Sequence, residues 1–97
     1  MRSEIIVEKS RKTKPLEKRI KKIEEDIDIH EKNVHILNEA MINASQSSDG
    51  RKIAEISQRI HKDQGKIERL FAEMEQLYYD KEIAESHFDK KLKEIEL

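Results

Sequence analysis

Leu16, Ile20, Ile23, Ile27, Val34, Leu37, Met41 and Ala44 recur in steps that alternate four and three once His30 is counted among them. That alternation is a heptad seam, the spacing that keeps one stripe of a helix turned toward a partner helix. A second seam follows at Ile53, Ile56, Ile60, Asp63 or Gln64, Ile67, Leu70, Met74 and Leu77. It continues through Lys81, Ala84, Phe88, Lys91 or Leu92, and Ile95. Between the two seams stands a polar run, Ser45-Gln46-Ser47-Ser48-Asp49-Gly50, with Ser48 or Asp49 suited to cap the second helix. Ahead of the first seam stands Pro15, a residue at home in the first turn of a helix, with Thr13 or Lys14 as its expected cap.

Two such helices joined by a short polar loop pack side by side in opposite directions. With the loop as tip, Met41 meets Ile53, Val34 meets Ile60, Ile27 meets Ile67, and Ile20 meets Met74 or Glu75. The expected fold is therefore all-α: an antiparallel two-helix coiled-coil hairpin with a basic N-terminal lead-in. Residues 1–14 form the lead-in, and residues 15–97 the hairpin, with helices over 15–44 and 49–95 and the tip over 45–50. Because the second helix outruns the first, Ala84, Phe88, Leu92 and Ile95 need a further partner. Glu4-Ile5-Ile6-Val7 of the lead-in is one candidate, folded back beside them; weak self-association of the stem and contact with a domain outside this chain are the others.

One layer interrupts the apolar match on both helices. His30 is expected to face Asp63 and Gln64, a polar layer of the kind that fixes register at some cost in stability. On that view His30→Leu raises the melting temperature and loosens the register.

Composition excludes much else. Charged residues make up 42% and hydrophobic ones 35%, with two Gly, one Pro and no Cys, too little for a conventional enzyme core. No glycine-rich phosphate loop is present, since Gly50 and Gly65 stand alone. His30 and His35 are five apart, which turns them to different sides of a helix and away from a shared metal. The Ser residues lack a His/Asp set, no apolar run reaches the length of a membrane span, and the Met-Arg-Ser-Glu start does not read as a secretory signal. No catalytic, cofactor-binding or metal-binding residue is expected, nor a membrane partner, and the absence of Cys fits a cytoplasmic setting.

Charge is distributed unevenly. Lys9, Arg11, Lys12, Lys14, Lys18, Arg19, Lys21 and Lys22 stand against a single Glu17 within residues 9–22. That block carries +7, so the rest of the chain carries −8 to reach the net of −1. Such a block is an electrostatic footprint for phosphate backbones, and equally serves to keep an extended linker solvated. Arg51, Lys52, Arg59, Lys62, Lys66 and Arg69 rank below it because acidic residues are interspersed among them. Tyr79 is the aromatic best placed to stack on a base, Tyr78 being expected to pack beside Leu16.

The order of these segments resembles a known family. A charged linker leads into Pro15-Leu16-Glu17-Lys18-Arg19-Ile20-Lys21-Lys22-Ile23-Glu24, then Ser48-Asp49, Arg51-Lys52-Ile53-Ala54-Glu55-Ile56 and Leu70-Phe71-Ala72-Glu73-Met74-Glu75-Gln76-Leu77. This is similar to the C-terminal domain of bacterial ABC-F ATPases over roughly residues 10–85. Gly50 stands where that family often has Pro, and Met74 where it often has Trp. The resemblance implies a non-catalytic antiparallel hairpin that contacts nucleic acid or the ribosome in translation. It also implies ATPase domains binding ATP and Mg that lie outside these residues. Two other classes compete: a protein-interaction or spacer coiled coil, and the tRNA-binding helical arm of a synthetase.

Overall fold

The computed structural model describes residues 2–96, so residues 1 and 97, the ends of the expected segments, lie outside it. Two helices account for almost all of it: α1 over Arg2–Gln46 and α2 over Gly50–Glu96. They pack against each other as an all-α helical hairpin. By packing density the chain divides into a unit of Met1–Ile23 with Glu73–Leu97, here the terminal unit, and one of Glu24–Ala72, the tip unit.

In the tip unit the turn is shorter than expected. Only Ser47, Ser48 and Asp49 lie between the helices, because α1 is closed by two reciprocal hydrogen bonds. The Asp49 amide donates to the Ala44 carbonyl at 3.1 Å, and the Ser48 amide to the Ser45 carbonyl at 3.2 Å. This pairing needs a left-handed residue after the helix, and Ser48 takes that role with φ of 55°. Asp49 then caps α2: its Oδ1 accepts the Lys52 amide at 3.2 Å and its carbonyl accepts the Ile53 amide at 3.0 Å. Ile27, Ala44 and Ile56 are buried here, while Val34, Leu37, Met41, Ile53, Ile60 and Ile67 are half-buried. Two helices alone cannot enclose a seam, so most of its members keep some contact with water.

The terminal unit corrects the expected start of the first helix. α1 does not begin at Pro15: Pro15 lies inside it, and the expected lead-in, from Arg2 onward, is helical. An interior Pro removes one helical hydrogen bond, leaving the Arg11 carbonyl without its usual partner, at a cost of roughly 3 kcal/mol. The compensation is the surplus length of α2. Lys9 Nζ pairs with Asp89 at 3.0 Å and Arg2 with Glu96 at 3.5 Å, so the first residues of α1 run beside the last of α2. Phe88 is thereby buried. The lead-in does supply the partner that Ala84 to Leu92 required, by continuing the helix and not by folding back. Of the Ile5-Ile6-Val7 triplet only Ile5 is half-buried. Thr13, expected as a cap, is buried in the seam and its hydroxyl donates to the Lys9 carbonyl at 2.9 Å. Ile20 and Ile23 complete the core, Ile23 being the one fully buried side chain among the described residues.

Candidate nucleic-acid interface

The basic block of residues 9–22 lies wholly on α1 in the terminal unit, and the helix sorts its members by direction. Lys9 is taken up by Asp89. Arg19 is taken up by Glu73, whose Oε1 accepts both Nη2 at 2.8 Å and Nε at 3.0 Å. Lys22 is engaged as well. Glu17, the single acid of the block, lies 3.5 Å from Lys81 of α2 and neutralises a cation outside the block.

What remains is Arg11, Lys12, Lys14, Lys18 and Lys21, all exposed and without a hydrogen-bond or ion-pair partner among the described residues. Four of them, Arg11, Lys14, Lys18 and Lys21, follow one another at intervals of three, four and three. At about 100° per residue they fall within an arc of roughly 80° and extend about 15 Å along the axis. The same arithmetic sets this stripe almost opposite the seam of buried Thr13 and Ile20 and half-buried Leu16. Lys12, about 100° beyond Arg11, lies off this stripe. Lys14, Lys18 and Lys21, with Pro15 and Glu17, border an open depression of about 420 Å³. Like charges at helical contact spacing repel by a few tenths of a kcal/mol per pair, so the stripe is a standing electrostatic cost in the free chain.

The polar layer lies in the tip unit. His30 Nδ1–H donates to Asp63 Oδ1 at 3.0 Å, with the two side chains 22% and 17% exposed. Gln64, the alternative partner, points to solvent. His35, for its part, turns to Glu39 at 3.3 Å on its own helix. The contact alters the expectation for His30→Leu, which would strand a half-buried carboxylate. Tyr78 is engaged within the structure, and Tyr79 is more exposed, beside Ile83 and His87.

A second set of cations gains weight from the structure. Arg59, Lys62, Lys66 and Arg69 on α2 repeat the three-four-three spacing and have no partner among the described residues. Of the acids that seemed to dilute them, Asp63 pairs with His30 and Glu55 with Arg51 of the same helix at 3.7 Å, while Glu68 is exposed and turned about 140° from the centre of the cation set. The repeated spacing was the sequence signal for this set. The pairing of Asp63 with His30 across the helices is invisible along one chain segment.

No helix among the described residues is long and apolar enough to cross a membrane. Fold and site together define a helical hairpin with an outward basic stripe. No protein-family model matches the chain, and neither the curated proteins nor the solved structures provide a match.

Proposed function

We propose that this chain is a non-catalytic hairpin domain that holds the phosphate backbone of a nucleic acid through Arg11, Lys14, Lys18 and Lys21. The observation that carries this reading is the unpartnered stripe itself. Four cations are held on one helix face against their mutual repulsion, although acidic residues are abundant in the chain. A nucleic-acid strand carries one charge per about 3.4 Å, so a stripe of about 15 Å lies alongside several phosphates at once. Phosphate contact of this type releases counterions and is largely indifferent to sequence. Partnership with DNA or with ribosomal RNA follows from the same chemistry.

The order of segments adds a second support, for the parent protein. We propose that the hairpin is the C-terminal domain of a cytoplasmic ABC-F ATPase acting in translation, whose ATP- and Mg-binding cassettes would stand upstream. Reading the coding sequence before residue 1 tests this: two cassettes agree with it, whereas a synthetase core or an unrelated domain rejects it.

Binding is tested with fluorescent duplex DNA and structured RNA over a range of salt. The variant Arg11→Gln/Lys14→Gln/Lys18→Gln/Lys21→Gln should reduce the log–log salt slope on duplex DNA by about 0.9 for each phosphate it no longer neutralises. Lys9→Gln/Arg19→Gln, which removes cations already paired, should leave the slope nearly unchanged. An equal fall in slope for both variants, or no binding by the unaltered chain at low salt, rejects the proposal and leaves a spacer coiled coil.

A further inference from the structure

The second cation set does not stand alone. Arg59, Lys62 and Lys66 line a shallow groove of about 370 Å³ in the tip unit together with Asn33, Ile36 and Leu37 of α1 and with Asp63, whose carboxylate is taken up by His30. The groove lies beside the seam, and its α1 wall sets the apolar Ile36 and Leu37 beside Asn33. Ile36 is 61% exposed, and Ile29, seven residues earlier on the same face of α1, is 54% exposed. Arg69, three residues beyond Lys66, extends the basic wall. The result is one face with two parallel stripes: exposed isoleucines along α1 and unpartnered cations along α2.

We infer that this face docks an acidic amphipathic helix of a protein partner. Each stripe specifies half of the occupant. Ile29 and Ile36 repeat at the heptad interval, which an apolar ridge at i, i+3/i+4 and i+7 of an incoming helix matches. Arg59, Lys62, Lys66 and Arg69 repeat at intervals of three and four, which carboxylates flanking that ridge match in turn. A nucleic acid would answer the cations but leave the isoleucines facing a polar backbone. This distinguishes the face from the Arg11–Lys21 stripe, which stands opposite the seam. The basic wall extends about 15 Å, so the occupant is a helix of about three turns. The inference goes beyond the phosphate-contacting proposal and stands without it.

The test uses the whole chain with labelled isoleucine methyl groups. The probe is a blocked peptide of about 15 residues carrying Leu at i, i+3/i+4 and i+7 with Glu flanking that stripe. Expected are micromolar binding and shifts of the Ile29 and Ile36 methyl signals. The same peptide with Lys in place of Glu should bind at least about tenfold more weakly, the effect of reversing complementary charge. Ile36→Lys should weaken the Glu peptide by a similar factor. Arg59→Glu/Lys62→Glu should lose the Glu peptide and gain the Lys peptide, while Arg11→Gln/Lys14→Gln/Lys18→Gln/Lys21→Gln should leave binding unchanged. These positions are exposed on helices, and circular dichroism verifies that each variant remains folded. Four results overturn the inference. They are equal binding of both peptides, insensitivity to Ile36→Lys, larger Ile29 and Ile36 shifts with duplex DNA than with peptide, and the same shifts on raising the chain's own concentration. The last two would assign the face to nucleic acid or to a second copy.

Discussion

At the scale of single residues, the pairing of His30 with Asp63 has the sharpest energetic consequence. Asp63 is largely withdrawn from water, and His30 is its hydrogen-bond partner across the hairpin. Leaving a part-buried polar group unsatisfied costs about 1–3 kcal/mol, whereas replacing both partners by apolar groups is often neutral or favourable. His30→Leu is therefore expected to lower stability by about 1 kcal/mol, and His30→Leu/Asp63→Leu to recover that loss or exceed it. Urea titration of the two single variants and the double measures this directly. Additive losses would show that the pair does not act as a unit. Ser48 illustrates a different residue-scale cost, since a non-glycine residue with φ of 55° stands where helix closure favours Gly. The sequence pointed to Gly50 as the glycine of the tip, but Gly50 opens α2.

At the scale of the helices, α1 is the informative one, because two of its signals disagree. Pro15 reads locally as a helix start, yet α1 runs through it from Arg2. The helix persists because Thr13, Ile20 and Ile23 on one side and Phe88 on the other bury apolar surface that a shorter α1 would leave wet. Pro15 is then a net burden on an intact helix. Pro15→Ala should raise the unfolding free energy by about 2 kcal/mol, the interior Pro penalty less the extra freedom given to the unfolded chain. Amides near Arg11 to Arg19 should exchange more slowly. A destabilised variant would place the helix start at Pro15 after all. Gly65→Ala in α2 provides the plain comparison. A Cβ there would meet nothing within 4 Å, so about 1 kcal/mol of gain is expected from helix propensity alone.

At the scale of the whole molecule, charge is sorted into paired and unpaired sets. Lys9, Arg19 and Lys81 serve the hairpin, each paired across it with Asp89, Glu73 or Glu17. Arg11, Lys14, Lys18 and Lys21 do not serve it, and their contiguity works against the helix. Changing all four to Gln should leave the chain slightly more stable, by up to roughly 1 kcal/mol at low salt, and the gain should vanish at high salt. Thermal unfolding at two ionic strengths is the measurement. A fall in stability would mean that these cations support the fold and were not retained for a partner. Higher stability together with weaker binding would be the signature of a surface kept for function.

The period of the apolar residues was sufficient, by itself, to determine the helical hairpin and the facing of His30 and Asp63. A heptad seam has only one way to be covered when a short polar turn reverses the chain. The sequence also located the basic block, since charge density along a chain needs no folding to be read. Tertiary structure decided the rest. It carried α1 through Pro15, because the partner for Phe88 lies far away in sequence and local propensity cannot register it. It also divided the cations of residues 9–22 into those consumed by Asp89 and Glu73 and those left outward. It turned Asp63 to His30 of α1 and left Arg59, Lys62 and Lys66 without a partner among the described residues. The pairings with Asp89, Glu73 and His30 depend on which side chains meet across two helices, and that is a property of packing.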